Sequence, residues 1–156
     1  MIEYNGLWKN DMAYSPNSNG STIDNHTESV TIGDGLFNNR EPFIPSFYMH
    51  SLKRIVIGND CFGKVRVFEL DGLGELESVV IGKESFRIRD GKRSDGSCRI
   101  VNCPKLKSIQ IGNESFYDYH SFELNNLPSL QSIDIGRECF RWVPSFSLTG
   151  VIDGLV

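Results

Sequence analysis

Alanine occurs only once among the 156 residues, at Ala13, whereas glycine occurs 15 times. Alanine is the best helix former and glycine a poor one, so this balance argues against a helix bundle. Long apolar runs are missing too. None approaches the roughly 20 residues that span a bilayer, and the opening MIEYNGLWKND has no basic region followed by an apolar stretch. Neither membrane insertion nor a signal peptide is expected in this chain. Positive charge is not in excess: 16 Lys and Arg face 20 Asp and Glu, for a formal charge of −4. A nucleic-acid partner is therefore not expected. There is no CxxC, HExxH, GxSxG or phosphate loop, and His26, His50 and His120 are scattered. The expectation is a protein that is not an enzyme and that holds no cofactor and no metal.

What is present is a globular composition, 39% hydrophobic and 23% charged, with length enough for one core. It is organised by an internal repeat. Five apolar, alternating segments end in Gly: TESVTIG from Thr27, LKRIVIG from Leu52, LESVVIG from Leu76, LKSIQIG from Leu106 and LQSIDIG from Leu130. Their starts lie 25, 24, 30 and 24 residues apart, a period of 24 with one insertion of six. Within a unit the apolar offsets recur, as in Val65, Phe68, Leu70, Leu73, Leu76, Val79, Ile81 and Phe86, then Tyr119, Phe122, Leu124, Leu127, Leu130, Ile133, Ile135 and Phe140. Alternation at IxI and FxL predicts two short strands per unit.

Gly33, Gly58, Gly82, Gly112 and Gly136 close the IxI strand, where a positive φ would let the chain turn. Gly72, Asn102, Asn126 and Gly150 share a second turn offset, and that exchange implies a left-handed corner. NDCF, KESF, NESF and RECF place an acid before Phe62, Phe86, Phe116 and Phe140, which predicts a short helical or 3₁₀ turn with the acid at its N-terminal end. A unit this small cannot bury its own apolar face, so units must stack and form ladders of like side chains. One ladder would be the four Phe, and a small-residue ladder would be Cys61, Ser85, Ser115 and Cys139. On the outside, Glu28, Lys53, Glu77, Lys107 and Gln131, and likewise Glu69, Arg99 and Glu123, alternate in a way that suits parallel, in-register neighbours.

These units, with LxSIxIG, then SF, then FxLxNLPxL, resemble leucine-rich repeats of the BspA-like kind from Thr27 onward. The resemblance implies an α/β-type or mainly β solenoid, a leucine-rich-repeat stack that binds macromolecules and usually has no catalytic activity. One departure is that Glu114 and Glu138 stand where many such repeats carry a buried Asn, so which strand lines the concave face stays open. Residues 1–26, rich in Asn and Ser, read as an N-terminal cap or flexible segment, and 27–156 as the solenoid, which can belong to a longer array. IPSFYM from Ile44 matches VPSFSL from Val143, although the following IVIG arrives three residues early.

Cys98 and Cys103 occupy core offsets, so all four cysteines are expected as buried free thiols. Reduced thiols fit the cytoplasm, and a surface location is the alternative if the chain is part of a longer one. The triplets at Asn19, Asn25 and Asn113 resemble glycosylation signals, but Ser115 belongs to the core ladder. The insertion RIRDGKRSDGS from Arg87 makes a basic island, with eight basic and three acidic residues between Lys83 and Lys107. Lys92 and Arg93 stand where a calcium loop would need carboxylates. Aromatics beside Arg are the usual anchors of binding surfaces. Arg87, Lys92, Arg93, Tyr117, His120, Arg141 and Trp142 follow the Phe of three successive units and are the candidate binding residues. The expected function is a non-enzymatic scaffold binding a protein partner through one solenoid face, with a surface segment recognising glycan as the alternative.

Overall fold

The computed structural model describes residues 2–4, 26–38, 50–88, 95–144 and 146–151. They form a parallel β-solenoid of about four turns, and among the described residues there is no helix. One sheet holds β1 (Ile2–Tyr4), β2 (Ser29–Ile32), β3 (Arg54–Ile57), β5 (Ser78–Ile81), β7 (Ser108–Ile111) and β9 (Ser132–Ile135), in that order. The second holds β4 (Val67–Asp71), β6 (Gly96–Val101), β8 (Tyr119–Leu127) and β10 (Phe146–Val151), with β10 and β4 at its edges. From β3 onward the chain alternates between the two sheets, which makes each 24-residue unit one turn. The IPSFYM match lies outside the described residues.

All pairs are parallel, and the register follows the repeat offsets: Ile55 lies beside Val79, Val79 beside Ile109 and Ile109 beside Ile133. Phe68, Cys98, Phe122 and Phe146 run across the second sheet in the same way. Side chains alternate inward and outward along each strand. The inward rows, Val30 and Ile32 through Ile109 and Ile111 against Phe68 and Leu70 through Phe122 and Leu124, make one buried core. β1 pairs with β2 at the edge of the first sheet.

The corners after the first-sheet strands differ from the expected helical or 3₁₀ turns. Asp60, Glu84, Glu114 and Glu138, and with them Phe62, Phe86, Phe116 and Phe140, have φ between 51° and 60°. A left-handed L-residue costs energy, and the compensation here is directional. The Glu84 N–H donates to the Asn113 carbonyl of the next turn (2.8 Å), and the Phe86 N–H donates to the Cys61 carbonyl of the previous one (2.7 Å). The same pattern recurs at Glu114 and Phe116. These peptide groups bond between turns, so they are not available to a helix. The Phe rings consequently stack, Phe37 on Phe62 on Phe86 on Phe116 on Phe140, with centroids 5.1, 4.9, 4.7 and 5.0 Å apart. Phe37 was legible too, since IGDGLF has the spacing of IGNDCF.

The glycines divide into two classes. Gly72 and Gly150, with Asn102 and Asn126, have positive φ, as their exchange implies. Gly58, Gly82, Gly112 and Gly136 do not, and close approach is what requires them: a Cβ on Gly82 would lie 2.5 Å from both the carbonyl carbon and oxygen of Gly58. On Gly112 it would lie 2.7 Å from the carbonyl carbon of Gly82.

Polar ladders flank the rings. The Ser85 hydroxyl accepts from the Cys61 N–H (3.1 Å) and donates to the Gly58 carbonyl (2.7 Å), and Ser115 repeats this with Ser85 and Gly82. Asp34, Asn59 and Asn113 accept from the main-chain N–H of Asn59, Lys83 and Arg137 in the following turns. The outward charges pair between turns, Glu28 with Lys53 (2.7 Å) and Glu77 with Lys107 (2.9 Å), while Arg99 bridges Glu69 (2.6 Å) and Glu123 (2.9 Å).

Two expected outcomes test this packing by thermal or urea melts followed by circular dichroism. Phe86→Ala or Phe116→Ala should destabilise by roughly 3–5 kcal/mol through a core cavity; an unchanged melt would refute the ring stack. Gly82→Ala should cost on the order of 1–3 kcal/mol by overpacking, whereas Gly74→Ala, with nothing within 4 Å of its Cβ, should be near neutral. Equal effects would remove close approach as the reason for Gly82.

Candidate functional site

Arg87, Tyr117 and Arg141 each follow the ring-stack Phe of their turn, so the repeat places them in one row beside the stack. The Arg87 guanidinium lies 4.8 Å from the Tyr117 ring centroid, and that of Arg141 lies 5.6 Å from it on the next turn. Arg141 also lies 5.6 Å from the Trp142 ring. Four of the candidate residues are thus one chain of cation–π contacts, each worth about 0.5–1 kcal/mol at an exposed position.

The left-handed acids complete the row. Arg87 pairs with Glu84 (3.4 Å) and with Glu114 of the next turn, and Arg141 pairs with Glu138 (2.8 Å). Electrostatic interaction with Tyr117 and then the hydrogen bond to Glu138 favour the charged form of the Arg141 guanidinium. Sequence reasoning noticed these acids but assigned them to helix starts, whereas their work is to hold Arg. Arg87, Tyr117 and Arg141 therefore have a stacking role as well as an exposed edge. Trp142, at the end of the row, is 43% exposed.

His120 is exposed and stands apart from these ring contacts. Tyr119 pairs with Gly96 and Ser121 with Ser97, which leaves His120 as the extra residue of a bulge. The bulge has an inner consequence. Gly96 has no side chain to fill the interior, and the buried Tyr119 hydroxyl donates to the Val65 carbonyl two units back (2.7 Å). Lys92 and Arg93 lie outside the described residues.

The four thiols are free, with Cys61, Cys98 and Cys103 buried and Cys139 half-buried. The Cys61 and Cys139 Sγ atoms donate to the Gly33 and Gly112 carbonyls (both 3.1 Å), where Ser85 and Ser115 place hydroxyls. Burial pushes the Cys103 thiol up to about 11, and it pushes Cys98 up strongly as well. In the turns that precede β5 and β7, Lys105 reaches Glu75 (2.7 Å), adding a further carboxylate to those already paired with Lys or Arg. Among the described residues no group of three or more His, Cys, Asp or Glu is placed to hold a metal ion. No helix of the described residues is long and apolar enough to cross a membrane.

Compared with known proteins, the chain matches no family model, no curated protein and no solved structure.

The thiols give a test with a definite sign. An unfolded chain releases thiol protons from about pH 8.5, whereas native Cys103 keeps its proton to about 11. Between these values the native state binds more protons, so stability should fall as pH rises through that window. Urea melts of the native protein against Cys103→Ala should show a steeper alkaline loss in the former. Native labelling by a thiol reagent should be slow at Cys98 and Cys103 until the chain unfolds; rapid labelling of both would contradict their burial.

Proposed function

We propose that the chain is a non-enzymatic repeat scaffold, of the leucine-rich, BspA-like kind its repeat resembles, and that it binds a protein partner along the Arg87–Tyr117–Arg141–Trp142 edge. The observation that carries this reading is the half-exposed Trp142 at the end of a row of rings held in place by guanidinium groups. Aromatic side chains that are already positioned lose little entropy on binding and supply most of the contact area of an interface. Arg beside them adds hydrogen-bond donors in a fixed fork. Paired strand carboxylates support a non-catalytic role, because an acid held by Lys or Arg is poorly suited to donate a proton.

A glycan is the second reading, favoured by the same ring exposure, since an indole face can lie against the apolar face of a sugar. The charge contribution is separate from the ring contribution. Lys92 and Arg93 belong to the basic island of the sequence and would act by steering encounter rather than by holding the complex.

The test begins with capture from source extract by the immobilised protein, followed by binding kinetics with the captured partner. Tyr117→Ala with Trp142→Ala should speed dissociation at least about tenfold, while Lys92→Ala with Arg93→Ala should slow association in a salt-dependent way. Unchanged binding by the aromatic double variant, with its circular dichroism intact, would move the site to another face. Binding to a glycan array that the same variant abolishes would instead favour the second reading.

A further inference from the structure

On the strand faces each base has an acid on the adjacent turn, as Arg99 has Glu69 and Glu123. The corner beside the ring stack follows a different rule. Lys83 and Arg137 share one offset there with Asn113 on the turn between them, and Arg87 and Arg141 share another with Tyr117 between them. Main-chain bonds keep these columns in register. The Lys83 N–H donates to the Asn59 side chain, the Glu84 N–H to the Asn113 carbonyl and the Glu114 N–H to the Arg137 carbonyl, each at 2.8 Å. Positive charge therefore stands at two levels, with an uncharged side chain on the turn between.

The two columns differ in how that charge is used. Arg87 and Arg141 are engaged by Glu84, Glu114 and Glu138. Lys83 and Arg137 are exposed and pair with no acid among the described residues. At these offsets four bases face three acids, on a chain whose net charge is −4. The complement of this corner is an acid at each charged level.

The spacing of the levels selects the shape of that complement. One turn rises by about 4.7–4.9 Å, so two turns separate the levels by about 9.4–9.8 Å. A β-strand repeats a face about every 6.4–6.8 Å, and an α-helix advances about 10.8 Å in two turns. A polyproline II helix, with three residues per turn, repeats a face about every 9.3 Å. Such helices also dock on aromatic side chains. Tyr117 occupies the turn between the levels, and Trp142, beside Arg141, is 43% exposed.

We propose that the partner meets this edge with an acidic, proline-rich segment in the polyproline II conformation, lying along the solenoid axis. Acids three residues apart reach Lys83 and Arg137, and the prolines between them lie on Tyr117. This rests on the reading of the edge as a protein-binding surface and adds the chemistry and spacing of what it binds.

The test titrates the whole 156-residue chain against a labelled peptide of four Glu-Pro-Pro triplets and reads fluorescence anisotropy. Saturable binding is expected, with a Kd of about 100 µM or tighter. A Glu-Gly-Gly peptide of the same length should bind at least about fivefold more weakly, because a flexible chain must first be ordered. A Glu-Pro peptide, whose acids fall two residues apart, should be weakened similarly. Lys83→Gln with Arg137→Gln should weaken binding of the Glu-Pro-Pro peptide about tenfold and reduce its salt dependence. Circular dichroism checks that this variant folds, and if it does not, Lys83→Gln alone is measured with the same direction expected. No binding of the Glu-Pro-Pro peptide up to about 1 mM, equal binding by either control peptide, an unchanged Kd in the variant, or binding of an oligomer of uronic acid sugars in place of the peptides would overturn the proposal. If the peptide fails while the partner captured from extract still depends on Tyr117 and Trp142, the edge binds a segment of another kind. If neither ligand depends on them, the reading of the edge falls as well.

Discussion

Hydrogen-bonded strands lie about 4.7–4.9 Å apart, and in a solenoid that spacing is also the rise of one turn. Every side chain must therefore tolerate its own counterpart at that distance, above and below. Aromatic rings do so by lying face to face, and the five Phe settle at 4.7–5.1 Å with planes 4–14° apart. Hydroxyls do so by donating one way and accepting the other, as Ser85 and Ser115 do. Charges must alternate, as they do at Glu69, Arg99 and Glu123. At Gly58, Gly82 and Gly112 not even a methyl group fits between turns.

The same constraint builds the candidate site. A row of Arg alone would repel itself, and a row of Tyr alone would offer little polar grip. Arg87, Tyr117 and Arg141 alternate instead, with Glu84, Glu114 and Glu138 closing the charge balance at the adjoining offset. The edge is thereby held in place by contacts within the chain. At its end stands Trp142, 43% exposed.

Much of this was legible in the sequence, because ladders depend on offset and offset can be counted. The period, the two strands per unit, the Phe and Ser/Cys ladders, the charge pairs and the left-handed corner at Asn102 and Asn126 all follow from aligned residues. The causes were harder to read. A glycine that ends every strand is compatible with positive φ or with close approach, and only the distance between turns decides for the second at Gly82. An acid two residues before Phe fits a helix start, but no local pattern reveals that its N–H points to the next turn, as at Glu84. For the same reason the link from Arg87 to Glu114, 27 residues apart, was hidden until the stack brought the turns together. The exposed Phe146 reads as core by its offset, since a pattern cannot tell whether a further layer covers it.

The central claim is that ring-on-ring contact holds successive turns to one another, beyond the apolar area each Phe buries. A double-mutant cycle on Phe86 and Phe116, with each residue changed to Leu singly and together, isolates that contact. The account predicts that the two losses of stability are non-additive, with a coupling of about 0.5–1.5 kcal/mol. Losses that simply add would mean that the rings act as separate pieces of core, and would contradict it.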